Sequence, residues 1–194
     1  MRKLIAALLL LPCAASAAMP GFTWLPANEL YFTAPLKQTI IYSQDGITPY
    51  AGTWGFGYRV LGDGQGITKT AAAQIQRVTA SNNFGVAGTF TLLDFLAGAE
   101  YIFPPKNKSP LRFTASALAD LGFGGDTLFM APMLTAGALY RLNPAATGPD
   151  GLSFTVYYRF TDITLDKALG QSVTLRAALG FRIGYVFPSF WSPK

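Results

Sequence analysis

From Ser172 to Phe187 apolar and polar positions alternate with a period of two. Val173, Leu175, Ala177, Leu179, Phe181, Ile183, Tyr185 and Phe187 fall on one face; Ser172, Thr174, Arg176, Ala178, Gly180, Arg182, Gly184 and Val186 fall on the other. An ordinary globular strand runs about 5–6 residues, so alternation held this long is unusual. One face is continuously apolar and ends in aromatics; the other is small, polar and punctuated by arginine. A strand of about 9–11 residues tilted near 45° crosses a bilayer. The segment is therefore predicted to be a transmembrane strand with lipid on one side and a tight polar lumen on the other.

The same alternation recurs along the chain. It predicts strands at Tyr50–Leu61, Ile67–Thr79, Ala87–Phe103, Leu111–Gly122, Thr127–Leu142 and Leu152–Thr161, with a first strand within Glu29–Tyr42. Pro35 interrupts the first strand and, having no N–H for a ladder, implies a bulge or a later start; Pro132 implies a bulge in the sixth. Gly62–Gly66, Ser81–Gly85, Pro104–Pro110, Gly122–Asp126 and Asn143–Gly151 carry turn residues. The predicted fold class is all-β, an eight-stranded antiparallel up-and-down transmembrane β-barrel over residues 29–187. Residues 18–28 form a lead-in and 188–194 a tail. The connections after strands one, three, five and seven, near Ser43–Pro49, Ala80–Gly85, Phe123–Asp126 and Asp162–Gln171, are no longer than those at the other end.

A soluble lipocalin-type barrel also alternates, with apolar residues inside. Its outer face would carry lysine and glutamate, as soluble surfaces do. Here the polar face is mostly Gly, Ala, Ser and Thr with single arginines, and lysine lies almost wholly in turns. Tyr50, Tyr101, Phe103, Tyr140, Tyr185 and Phe187 fall at strand ends, where membrane-interface aromatics belong. The polar face is the lumen, and its charges are Arg59, Asp94, Glu100, Arg112, Asp120, Arg141, Arg159, Arg176 and Arg182. Hairpins centred near Lys106 and Lys167 set Glu100 opposite Arg112 and Arg159 opposite Arg176, with one or both of Asp94 and Asp120 reaching across to the arginine pair. Gly180→Ser is expected to be mild apart from crowding of the lumen.

Arg2-Lys3, the apolar run Leu4–Leu11 and Ala15-Ser16-Ala17 have the anatomy of a secretory signal peptide over residues 1–17. Cleavage after Ala18 is the alternative. Cys13 would leave with the signal, and the mature chain then holds no cysteine for a disulfide or a thiolate metal site. Losing Arg2 and Lys3 lowers the net charge from +5 to +3, too weak and too dispersed to imply nucleic acid.

Taken together, the signal, the even strand count and a last strand ending Tyr185-Val186-Phe187 resemble the small outer-membrane barrels, nearest to the OmpA transmembrane domain and its OmpX-like relatives. The resemblance implies the bacterial outer membrane, with membrane lipid as surroundings. It also implies recognition of the last strand by the barrel-insertion machinery through Tyr185 and Phe187. Seven residues follow that strand, whereas the family's final aromatic lies at or near the terminus; Phe190-Trp191 is the alternative signal. The short connections depart from the protruding loops of OmpX-like adhesins.

Chemistry is sparse. With no histidine and one cysteine, Ser-His-Asp and Cys-His arrangements are excluded. Gly62-x-Gly64-x-Gly66 precedes no helix and is a turn, not a phosphate loop. Asp94 and Glu100 are six apart on one strand, about 20 Å, too far for glycosidase work. No cofactor and no metal site are expected, and no enzyme. An eight-stranded barrel encloses just enough room for side chains, so the charges read as a salt-bridged plug and the protein as a structural, membrane-anchoring barrel. The alternatives are a narrow porin-like channel for small solutes, anions among them, and, more distantly, a lipid-modifying enzyme.

Overall fold

The computed structural model describes residues 27–37, 39–42, 50–61, 66–81, 87–104, 109–142, 150–167 and 171–188. The signal segment, most of the lead-in, the last six residues and several turns lie outside the described residues. The strands are β1 (Ala27–Lys37), β2 (Ile40–Tyr42), β3 (Tyr50–Leu61), β4 (Gly66–Ser81), β5 (Ala87–Ile102), β6 (Leu111–Gly124), β7 (Thr127–Arg141), β8 (Gly151–Arg159), β9 (Ile163–Lys167), β10 (Gln171–Leu175) and β11 (Ala178–Pro188). Eight of them, β1, β3–β8 and β11, close an antiparallel up-and-down barrel in which β1 pairs both β3 and β11. The eight-stranded expectation is met.

Alternation works as expected within each barrel strand. In β8, Gly151, Ser153, Thr155, Tyr157 and Arg159 are buried, while Leu152, Phe154 and Tyr158 are exposed and Val156 is half-buried. Proline behaves differently at its two positions. The register shifts between Pro35 and Lys37, as the missing N–H requires. Pro132 keeps regular register with Ala119, so the expected bulge there does not occur. The β6–β7 hairpin closes through Gly125-Asp126, with Gly125 at φ 59°, a left-handed conformation that suits glycine.

Three strand segments leave the barrel. β2, β10 and β9 form a separate three-stranded sheet. The predicted continuous strand Ser172–Phe187 is therefore broken, the range Glu29–Tyr42 holds most of β1 and all of β2, and the predicted connection Asp162–Gln171 contains strand. The break at Arg176–Ala177 reverses parity: Val173 and Leu175 are buried before it, Ala178, Gly180 and Arg182 after it. Ile163, Leu165, Val173 and Leu175, each at most 1% exposed, pack with Val78, Phe90, Leu92 and Phe129 of the barrel. The small sheet thus caps one mouth. Ala27, Leu61 and Val186 with half-buried Leu139 form a second apolar cluster where the barrel strands begin and end.

Two kinds of force hold the cap. At the bend the Ala177 N–H donates to Asp162 Oδ1 (2.8 Å), and Asp162 Oδ2 lies 3.4 Å from Arg176 Nη1. This ion pair is 55% and 40% exposed, where such pairs contribute about 0–1 kcal/mol. Each buried cap side chain contributes about 1.5–3 kcal/mol, so apolar burial dominates. Leu165→Ala is expected to cost about 2–5 kcal/mol and Asp162→Ala about 1 kcal/mol in denaturant unfolding of the detergent-folded protein. The reverse order would contradict a cap held by its apolar face.

Candidate functional site

The lumen is built in layers from inward residues of all eight barrel strands. Next to the terminus-end cluster lies an ion cluster. Glu29 and Arg59 are register partners on β1 and β3, and Arg59 Nε donates to Glu29 Oε2 at 2.6 Å while its Nη1 reaches Glu100 Oε1 at 3.4 Å. The Ser153 hydroxyl donates to the other Glu29 oxygen. These three charged residues are at most 4% exposed, so each depends on its partners in place of water. A cavity of about 30 Å³ borders this cluster and is lined by Arg59, Glu100, Arg112, Ser153, Leu61 and Leu139 among others.

The next layer is centred on Arg182, whose guanidinium lies 5.1 Å from the ring centroids of both Tyr31 and Tyr157. Desolvated cation–π contacts of this kind offset part of the cost of burying a guanidinium. Its Nη2 also approaches Met133 Sδ at 3.3 Å. Each tyrosine lies across a cross-strand glycine: Tyr31 opposite Gly57 and Tyr157 opposite Gly180. A Cβ at Gly57 would come within 2.2 Å of Tyr31 Cζ, and one at Gly180 within 2.3 Å of Tyr157 Cζ. Gly180 is thus a seat for the Tyr157 ring, and the lumen crowding expected of a substitution there falls on that ring: an added Cβ requires Tyr157 to move.

Asp94, Asp120 and Arg159 occupy the layer nearest the cap. Tyr31 OH donates to Gln74 Oε1 (3.0 Å), and the side-chain amides of Gln74 and Gln76 donate to Asp94 Oδ2 at 2.8 and 2.6 Å. Asp94 and Asp120 lie diagonally on β5 and β6, since Asp94 pairs with Gly122 and Leu96 with Asp120. Arg159 and Arg182 both act electrostatically on the two aspartates.

Of the charges expected in the lumen, Arg59, Asp94, Glu100, Asp120, Arg159 and Arg182 are buried there together. Arg112 and Arg141 point inward but are half-buried near the terminus end, Arg141 opposite Gly151 at the end of β7. Arg176 is not a lumen residue; the break before β11 turns it outward to Asp162. Two expected pairings are likewise corrected. Glu100 faces Ser116, and Arg159 faces Ala178, because both hairpins are centred further along the chain than turn composition suggests. Glu29 was missed, and with it the partner that holds Arg59. Its two-residue spacing to buried Tyr31 and Thr33 was present in the sequence, but Pro35 obscured the strand.

Outside the barrel, Tyr101, Phe103, Tyr140 and Tyr185 are exposed at the terminus end, with Phe187 stacked on Tyr185 at 6.2 Å. Tyr50 begins β3 at the cap end, and its side chain lies outside the described residues. Among the described residues no group of three or more Asp, Glu, His or Cys is placed to hold a metal.

The ion cluster generates a specific expectation. Arg59→Ala leaves Glu29 and Glu100 buried without their cation and should cost about 3–5 kcal/mol in denaturant unfolding. Adding Glu29→Gln removes one of the stranded charges and should recover part of the loss. Simple additivity of the two changes would contradict the cluster.

No family model matches the chain, and no curated protein matches it. Among solved structures it is similar to the outer membrane protein OprG from Pseudomonas aeruginosa, with TM-score 0.56 and 11% identity over 86% of this chain and 97% of that one. It is also similar to Neisserial surface protein A, with TM-score 0.41 and 17% identity over 81% of this chain and 96% of that one. At these identities the likeness to OprG speaks to the fold alone: the chain has the closed eight-stranded barrel fold found in that outer-membrane protein.

Proposed function

We propose that the protein is an integral outer-membrane β-barrel with a structural, membrane-anchoring role and a lumen closed to solutes. Its surface is inverted relative to a soluble protein. Leu30, Phe56, Phe113, Met130 and Ile183 are at least 50% exposed, whereas Glu29, Asp120 and Arg182 are at most 1% exposed. In water this would leave an apolar belt far larger than the few hundred Å² that soluble monomers tolerate; hydrocarbon removes that cost, and a closed ladder leaves no unpaired backbone facing lipid. The 15 residues of β7 extend roughly 50 Å at about 3.3 Å each. A tilt near 45° projects this to about 35 Å, enough for a hydrocarbon core of about 30 Å. The fold of OprG, an outer-membrane protein, is consistent with this setting.

In this reading the termini and the Tyr101–Tyr140–Tyr185 aromatics face the periplasm, the cap faces outward, and Tyr185 and Phe187 present the last strand to the insertion machinery. The observation that carries closure is the cap. Its four apolar side chains, at most 1% exposed, sit in the mouth against Val78, Phe90, Leu92 and Phe129, above a lumen filled by packed charges and rings. Purified protein in planar bilayers is therefore expected to show no unitary conductance above background. Discrete conductance steps would overturn closure and favour a narrow channel for small solutes.

A further inference from the structure

The cap-side half of the lumen holds more buried polar atoms than its direct hydrogen bonds satisfy. Asp120 is 0% exposed, and neither of its carboxylate oxygens has a hydrogen-bond partner among the described residues. Asp94 commits Oδ2 to Gln74 and Gln76 and leaves Oδ1 without one. Arg159, 4% exposed, has Nε and Nη2 in the same condition, and Arg182, 1% exposed, has Nε and Nη1. Buried charged groups are costly unless hydrogen-bonded, and four such groups converge here from β5, β6, β8 and β11.

Direct contact is limited by what fixes each group. Arg182 is held between the Tyr31 and Tyr157 rings. Asp120 pairs in register with the small residue Ala131 on β7, and Arg159 lies on the next strand, β8, opposite Met133. A group that bridges these atoms must donate to carboxylate oxygens and accept from guanidinium N–H groups. A cation would serve only the first and an anion only the second, and two carboxylates against two guanidiniums require no further charge. Water does both and is neutral. We propose that internal water molecules bridge Asp94 and Asp120 to Arg159 and Arg182, forming a hydrated site sealed from the cap mouth by the apolar cluster above it. Solvent held there exchanges slowly, because the cap-side exit passes through packed apolar side chains.

The probe is the Met133 methyl, which belongs to the side chain whose sulfur lies 3.3 Å from Arg182. In methyl-labelled, detergent-folded protein, Met133 is expected to show a nuclear Overhauser cross-peak to water with the sign of a slowly exchanging, bound molecule. The charge-balanced double variant Asp120→Leu/Arg159→Leu should lose most of that intensity, although Arg182 and the tyrosines remain to relay proton exchange. If it does not refold to a heat-modifiable band, Ala131→Leu, which adds bulk beside Asp120 and removes no charge, should give the same loss. A missing cross-peak in the parent protein, or undiminished intensity in the folded variant, overturns the water site. The outcome is independent of bilayer conductance: a conducting barrel with this cross-peak would retain the site and lose the closure.

Discussion

β1 is hydrogen-bonded to β11 on one side and to β3 on the other, and the rest of the structure depends on that closure. A strand with a free edge would present unpaired amides and carbonyls, which neither lipid nor a dry interior can satisfy. Once the ring is closed, the two-residue period of each strand assigns every side chain to one of two environments. Large apolar groups go outside, and a narrow interior receives Glu29, Arg59, Asp94, Glu100, Asp120, Arg159 and Arg182. Eight strands leave little free volume, so the direct partners these charges have are one another and the rings and amides packed against them.

How they are answered differs along the barrel. Arg59 contacts two carboxylates directly. Arg182 lies between two aromatic rings, which is possible because Gly57 and Gly180 yield the space that Tyr31 and Tyr157 occupy. Asp94 accepts from two glutamine amides. The charged layers end in apolar clusters at both ends of the lumen. Polar groups therefore fill the middle of the lumen, while apolar groups pack together under the cap.

Much of this was legible in the sequence. The alternation from Leu152 to Arg159 assigned both faces of β8 without error, and inward parity found six of the buried charges. Legibility failed where alternation persists through a change in geometry. The sequence pattern runs unbroken from Ser172 to Phe187, yet the chain bends at Arg176–Ala177, so Val173 and Leu175 face the cap core and not the outer face, and Arg176 leaves the lumen. Periodicity reports side-chain direction relative to the local strand and says nothing about a bend between strands. Register failed for a related reason. The position of a hairpin's centre is not encoded in alternation, so a shift by an even number of residues preserves both faces while changing every partner, as for Glu100 and Ser116.

The central claim is that a closed barrel holds its charges inside and its apolar residues against lipid. Nitroxide labels placed singly from Leu152 to Tyr158 in vesicle-inserted protein test it most directly, by comparing relaxation by lipid-soluble oxygen with relaxation by a water-soluble paramagnetic chelate. The account predicts oxygen contact at Leu152, Phe154, Val156 and Tyr158, and contact with neither reagent at Ser153, Thr155 and Tyr157. Chelate access at the even positions, or oxygen access without alternation, would contradict it.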